Sequence, residues 1–245
     1  MAQRDLATND DPVPERVMEL AAGKRLGWLR AQYQPRQRRV FTRWNDWRLY
    51  FFEEGLIVTS PEGLEMDFRW ESTTVFQCLS TLDSTVRDAA YTLVGPDLEA
   101  IAIGRGTSAL LRVTVDGRRV PSVVRGAPFV HEGVWGPEIQ KGVTRMRLPE
   151  VLGRIGRGET LDFNRFTVTA ESVSVKNKSL PWAEVTGVDV SNGLVSISRG
   201  HRTLPPVLAN EVPNLQLALV LMELLRKESS PPPRGGPSAR PGEGR

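Results

Sequence analysis

The stretch Leu180-Pro181-Trp182-Ala183-Glu184-Val185 decides the fold of this 245-residue chain. Short alternating apolar runs lie on both sides of it, so the tryptophan falls between predicted antiparallel strands. An earlier stretch, Phe68-Arg69-Trp70-Glu71, has the same order of strand-like runs, a tryptophan, an acidic residue and a β-branched run. An apolar helical pattern follows each stretch further along the chain. The repeat predicts two related units, with Trp70 and Trp182 as structural anchors in their cores.

The sequence pattern of the first unit predicts a series of short strands. From Trp28 to Ile103, strand-like runs come at intervals of roughly ten residues, which is typical of a meandering antiparallel sheet or barrel. A further hairpin is predicted around Asp116-Gly117, with strands over 110–115 and 120–124. A helical pattern then starts at Gly136, and Pro149 predicts a kink or a restart within that helix.

The second unit is smaller and shows strict alternation. Thr160 to Val175 contains three short alternating runs, and Asn192-Gly193 is the strongest short hairpin signal in the chain. Pro213-Asn214 then opens a helix from about Leu215 to Lys227. Apolar residues cover most of its circumference, so we expect this helix to be largely buried, packed against both units.

These patterns predict a mainly β (α+β) fold made of two bent antiparallel sheets or partly open barrels, each closed by a C-terminal helix. We expect residues 1–13 to be disordered, followed by an N-terminal unit over 14–157 with a leading helix and a closing helix over 136–156. The C-terminal unit spans 158–227, with a closing helix over 213–227, and residues 228–245 form a disordered tail rich in proline and glycine. Whether residues 107–133 join the first sheet stays open at this point.

Composition excludes several classes of function. The chain is 40% hydrophobic and 25% charged, has a net charge of +3, and contains no apolar run long enough for a membrane span. Its first residues lack the apolar core of a signal peptide, so we expect a cytoplasmic location. With Cys78 as the only cysteine and two distant histidines, the sequence predicts no metal site and no cofactor. The slight positive charge also argues against a nucleic-acid partner.

No residue cluster is typical of a catalytic centre, so we expect a protein that is not an enzyme. Serine, histidine and aspartate are present, but no spacing brings them together. Adjacent carboxylates such as Glu53-Glu54 lie in a predicted turn and point apart, which does not suit acid–base catalysis. Trp44 and Trp47 flank another predicted turn, where core packing is favoured over exposure as a contact residue.

An arginine-rich segment is the best candidate binding site in the sequence. Five arginines are interleaved with aromatic residues between two predicted strands: Arg36, Arg38, Arg39, Arg43 and Arg48. Guanidinium groups pair well with phosphate oxygens, so the segment could hold an anionic headgroup. The alternative is a solvated face whose arginines lie near Asp46, Glu53 and Glu54, where pairing contributes little free energy.

The repeated meander with its closing helix resembles the pleckstrin-homology-like (PH-like) superfold. It is also similar to an actinobacterial family built on a domain of unknown function, over roughly residues 45–227. The likeness is carried by these residues: Leu49-Tyr50, Gly55-Leu56, Trp70, Gly158-Glu159, Phe163, Leu180 to Val185, Gly193 and Pro213-Asn214. The connection from Thr107 to Val134 is longer than that pattern has. In PH-like folds, the loop that corresponds to the arginine-rich segment often holds anionic headgroups. The resemblance implies a fold more than a function.

These observations predict a binding or interaction protein built on tandem PH-like units. The expected partner is a protein, bound through an exposed strand edge or in the groove beside a closing helix. The alternative is a peripheral membrane binder that uses the Arg36 to Arg48 segment to hold anionic headgroups of a membrane surface.

Overall fold

The computed structural model describes residues 11–36, 44–82, 85–106 and 112–229. Within these ranges the chain is mainly β, with several antiparallel sheets and three α-helices. None of these helices is both long enough and apolar enough to cross a lipid bilayer. Disorder was predicted for residues 1–13 and 228–245, of which 1–10 and 230–245 lie outside the described residues. Within the described part, Asp11 accepts hydrogen bonds from Gln32 and Gln34, and Glu228 belongs to the last helix.

The first sheet follows a short leading helix, α1 (Glu15–Gly23). Its four strands pair in chain order: β1 (Leu29–Tyr33), β2 (Arg48–Phe52), β3 (Gly55–Thr59) and β4 (Glu65–Arg69). Helix α1 packs on one face of this sheet, where it covers Tyr50, Phe52 and Ile57. The opposite face holds the main core of the unit. Burial on both faces explains why β2 and β3 are nearly continuous apolar runs.

The second sheet contains three consecutive strands and one strand from the long connection that follows them. Its order is β10-β7-β6-β5, formed by β5 (Thr74–Leu82), β6 (Thr85–Val94), β7 (Ala100–Gly104) and β10 (Val124–Arg125). β10 lies parallel to β7, so part of the connection over 107–133 does belong to a sheet of the first unit.

A small hairpin precedes β10 in the chain. It consists of β8 (Thr114–Val115) and β9 (Arg118–Arg119), with Asp116 and Gly117 at positive φ in its turn. The turn was predicted correctly, but the predicted strands were too long, because Val124 pairs with Ile101 of β7 instead of extending the hairpin. Residues 107–111, where the first of these strands was predicted to begin, lie outside the described residues.

Helix α2 (Glu132–Gly156) closes the first unit. It begins four residues before the predicted start at Gly136, so the predicted boundary was wrong. Of the kink or restart predicted at Pro149, the restart does not occur, because the helix continues through this residue. The earlier start places the fully buried Trp135 inside the helix, with its indole N–H donated to the carbonyl oxygen of Val130 at 2.9 Å. Tertiary packing thus overrides the local Gly136-Pro137 signal.

The second unit begins with a four-stranded antiparallel sheet in chain order: β11 (Leu161–Asp162), β12 (Phe166–Val168), β13 (Ser172–Val175) and β14 (Lys178–Pro181). A short 3-10 helix, Trp182–Glu184, leads to its second sheet. That sheet holds β15 (Gly187–Ser191), β16 (Leu194–Arg199), β17 (Arg202–Thr203) and β18 (Val207–Leu208). Its strands cover a single core, so buried and exposed residues alternate.

Helix α3 (Leu215–Glu228) ends the described chain and packs against parts of both units. It lies beside α2 and β5 on one side and beside β15 and the Trp182–Glu184 helix on the other. Its buried residues include Leu217, Leu221 and Leu225, as the apolar circumference of the helix predicts. Asn214, just before the helix, exchanges two hydrogen bonds of 2.8 Å with the backbone of Val75 in β5.

Candidate interaction surface

The arginine-rich segment is only partly described, and its described arginines are engaged within the chain. Arg36 donates from Nη2 to both carboxylate oxygens of Glu132, at 3.1 and 3.3 Å. Arg48 donates from Nη1 to the carbonyl oxygens of Asn45 and Trp47. The other three predicted site residues, Arg38, Arg39 and Arg43, lie outside the described residues. Of the five predicted site residues, the structure therefore describes only Arg36 and Arg48, and both donate hydrogen bonds within the chain.

Glu132 joins two distant arginines at the start of α2. Its side chain is only 7% exposed, and its Oε1 lies 2.6 Å from Nη2 of Arg105, which follows β7. Burial alone would raise the pKa of the Glu132 carboxyl, but hydrogen bonds from its own backbone N–H and from Arg36, with the charge of Arg105, hold that pKa below its usual value. Burial, with the negative charge of Glu132 adding to it, raises the pKa of the nearby Tyr91 to about 12. This network ties β7 and the end of β1 to α2.

We expect Glu132→Gln to lower the free energy of unfolding by about 1–2 kcal/mol at neutral pH, because two arginines lose their carboxylate partner. The loss is moderate because Arg36 is 44% and Arg105 29% exposed. Since the folded-state pKa of Glu132 is depressed, its contribution is present above its unfolded pKa and is lost as the pH falls through the folded value. Urea unfolding at several pH values should show the difference between wild type and variant shrinking below about pH 4.

Glu184→Gln is the matched control, since Glu184 pairs at 2.9 Å with an arginine that is 62% exposed. We expect this surface substitution to change stability by less than about 0.5 kcal/mol. Equal effects of the two substitutions would contradict a structural role for the Glu132 network.

The tryptophans of the described chain differ in burial, from fully buried to exposed. Trp70 and Trp182 are 3% and 1% exposed, and each donates its indole N–H to a backbone carbonyl oxygen, that of Glu53 at 3.0 Å and of Thr169 at 2.9 Å. Each follows the fourth strand of its unit. Trp47 is buried and Trp44 half-buried, whereas Trp28, which the sequence placed in the first strand, is 79% exposed. Sequence patterns gave no signal for that exposure.

Two adjoining clefts of about 560 and 430 Å³ are lined by the second unit, and the smaller one is also lined by residues of the first unit. They share Asp162, Asn164, Arg165, Leu208 and Glu211. Some of their charged groups have partners within the chain. Arg165 pairs with Glu211 at 2.7 Å, and a carboxylate oxygen of Asp162 accepts the backbone N–H of Asn164 at 2.7 Å.

Strand β15 has a free backbone edge in the second unit. β15 pairs with β16 on one side, and no strand of the described chain pairs with its other side. Asn192 and Gly193, both at positive φ, form the two-residue turn, so Ser191 and Leu194 are a hydrogen-bonded pair. The alternation of an antiparallel ladder then turns the backbone N–H and C=O groups of Val188 and Val190 towards the free edge.

Val190 adds an exposed apolar side chain to this edge, whereas Val188 packs partly against the core of the unit. Val188 and Val190 lie opposite Ile197 and Val195 and share their core-facing side of the sheet. Val190 is nonetheless 39% exposed. The strand contains no lysine, arginine or proline, residues that commonly protect an edge from pairing with another chain. The β15 edge, defined as residues 187–191, therefore offers both backbone partners and apolar contacts to an added strand.

Comparison with known proteins gave a match to one family model, which includes the second unit. The model of a family of unknown function (DUF6585) matches residues 128–232. The match includes α2, both sheets of the second unit and α3, and it begins well after residue 45, where the likeness predicted from sequence begins. A search of curated proteins gave no match. The matched segment contains the β15 edge.

Proposed function

We propose that this protein is an interaction module without enzymatic activity, built on two PH-like units. Each unit has a four-stranded antiparallel sheet, a tryptophan after its fourth strand, at least three strands in a second sheet and a closing helix. That order supports a PH-like tandem arrangement. Within it, the second unit binds an extended segment of a partner protein as an additional strand on the β15 edge.

The free β15 edge carries this proposal. A partner strand would accept and donate hydrogen bonds at Val188 and Val190, whose backbone groups have no partner strand in the described chain. Its alternate side chains would extend the apolar face of the two valines, and burying Val190 would add to affinity. We therefore expect an extended partner segment with alternating apolar residues.

The terminal segments of this chain do not suit the same edge. The last 15 residues contain five prolines and four glycines, and a proline cannot donate the backbone hydrogen bond that a strand ladder needs. Residues 1–10 lack alternating apolar positions. These compositions favour a segment of another protein as the occupant.

Val190→Pro tests the proposal, because proline removes an N–H that faces the free edge and leaves the β15–β16 ladder intact. Peptides would first be selected on the full chain from a random display library, and their affinity measured by calorimetry. We expect Val190→Pro to weaken binding by at least about tenfold, or ~1.4 kcal/mol. Val190→Thr, which keeps the N–H and the branched side chain, should bind within about threefold of wild type.

Folding is checked separately, since Val190→Pro should melt within a few degrees of wild type. Asp189→Pro, which removes an N–H bonded to β16, should be clearly less stable. Selected peptides that bind wild type and Val190→Pro equally, or a library that yields no binder, would refute the strand-addition proposal. Concentration-dependent self-association that Val190→Pro abolishes would instead make the partner a second copy of this chain.

A further inference from the structure

A small pocket of about 160 Å³ lies where the two units meet. None of its lining residues belongs to β15. It is lined by β5, the β8–β9 turn, α2, β11 and the start of α3. The polar residues around it are Thr74, Asp116, Arg147, Arg154, Thr160, Asp162 and Asn214. Both units therefore contribute groups that could hold a small polar molecule.

Arg147 has a guanidinium group that its surroundings leave largely unsatisfied. Its Nε is closed off from solvent and has no hydrogen-bond partner. Its Nη1 makes one long hydrogen bond, of 3.5 Å, to the carbonyl oxygen of Thr73. No carboxylate of the described residues lies within ion-pair distance of it. Arg147 is thus a half-buried cation whose Nε lacks an acceptor, and an anion beside it would supply one.

Burial is the main influence on the charge of Arg147. Burial lowers the pKa of the Arg147 guanidinium, the charges of Glu150 and Asp116 partly oppose this, and Arg154 adds to it. Arg154, two turns along the same helix, also lines the pocket and uses its Nε to bind Glu159 at 2.8 Å.

The two carboxylates of the lining, Asp116 and Asp162, belong to exposed residues. Water therefore screens their charge more strongly than it screens the charge of Arg147. Among these three charges, that of Arg147 is thus the least screened by water. Its volume is large enough for one small oxyanion and excludes a nucleotide.

We propose that this pocket binds a small oxyanion, a phosphate or the carboxylate of a small metabolite, with Arg147 as its main ligand and Arg154 as the second. Guanidinium groups match the spacing of phosphate and carboxylate oxygens. Because residues of both units line the pocket, the bound anion stabilises their contact. The site is independent of the β15 edge and of the interaction proposed there.

Thermal unfolding of the full chain with inorganic phosphate tests this inference, with potassium chloride at matched ionic strength as reference. At about ten times the dissociation constant, the melting temperature should rise by roughly 3–6 °C, because the anion binds the folded state alone. The same measurement is made with potassium acetate at matched ionic strength. A response to phosphate identifies a tetrahedral ligand, and a response to acetate alone identifies a planar carboxylate.

Arg147→Met should remove the response while leaving the melting temperature without phosphate unchanged or higher, since it removes a half-buried charge whose Nε has no acceptor. Arg154→Gln, at a half-buried position, should reduce the rise in melting temperature that phosphate causes. This variant replaces Arg147→Met as the test if Arg147→Met does not fold. Arg157→Met is the control, because Arg157 lies at the end of the same helix, is 65% exposed and does not line the pocket. Equal effects of all three salts on wild type, or a full response in Arg147→Met, would overturn the inference.

Discussion

Trp182→Ala should lower the free energy of unfolding by about 3–5 kcal/mol, the cost of removing a fully buried aromatic side chain. The indole is 1% exposed and belongs to the core of the second unit. The 3-10 helix that carries it packs against α3, so truncation leaves a cavity under the closing helix. The carbonyl oxygen of Thr169 also loses the indole N–H that it accepts at 2.9 Å.

Urea unfolding followed by circular dichroism measures this loss, and Trp28→Ala is the matched control. Trp28 is 79% exposed, so the same truncation should change stability by less than about 0.5 kcal/mol. A Trp182→Ala effect below about 1 kcal/mol would mean that the tryptophan does not anchor the unit.

Asn214→Ala should destabilise the chain by about 2–4 kcal/mol, because Asn214 joins the two units through a buried contact. Its side-chain Oδ1 accepts the backbone N–H of Val75, and its own N–H is donated to the carbonyl oxygen of Val75, both at 2.8 Å. The asparagine thus acts as a one-residue partner for the edge of β5. Its φ of 49° adds a second cost, since alanine is strained in the left-handed region.

Asn214→Gly separates these two costs. Glycine adopts the positive φ freely but still leaves the N–H of Val75 without its acceptor. We expect it to be about 1–2 kcal/mol less destabilising than Asn214→Ala, with both measured by chemical denaturation. Equal, small effects would show that the contact contributes little to the junction of the units.

Much of the fold could be predicted from local patterns. The Asn192-Gly193 hairpin and the burial of α3 follow from short-range signals, a turn that needs positive φ and an apolar helix circumference. The start of α2 was wrong because the buried Trp135 extends the helix beyond a local glycine and proline signal. The parallel pairing of β10 with β7 depends on contacts between distant residues, which period and turn chemistry do not encode.

The binding surfaces were less accessible from sequence. The arginine-rich segment was selected by composition, but Arg36 is paired with Glu132, which lies 96 residues away, and no spacing rule predicts such a pair. An exposed strand edge was expected, but the sequence does not show which strands have an unpaired side, because strand order depends on contacts between distant residues; β15 is one of several such strands. The pocket of Arg147 is likewise formed by elements from both units.

Amide hydrogen exchange along β15 tests the central claim most directly. In the free chain, the amides of Val188 and Val190 should exchange rapidly, whereas that of Asp189, bonded to β16, should be protected. A saturating selected peptide should slow exchange at Val188 and Val190 by at least about tenfold. Protection of both amides in the free chain, or no change on peptide binding, would contradict the account that β15 is the open edge on which this protein binds its partner.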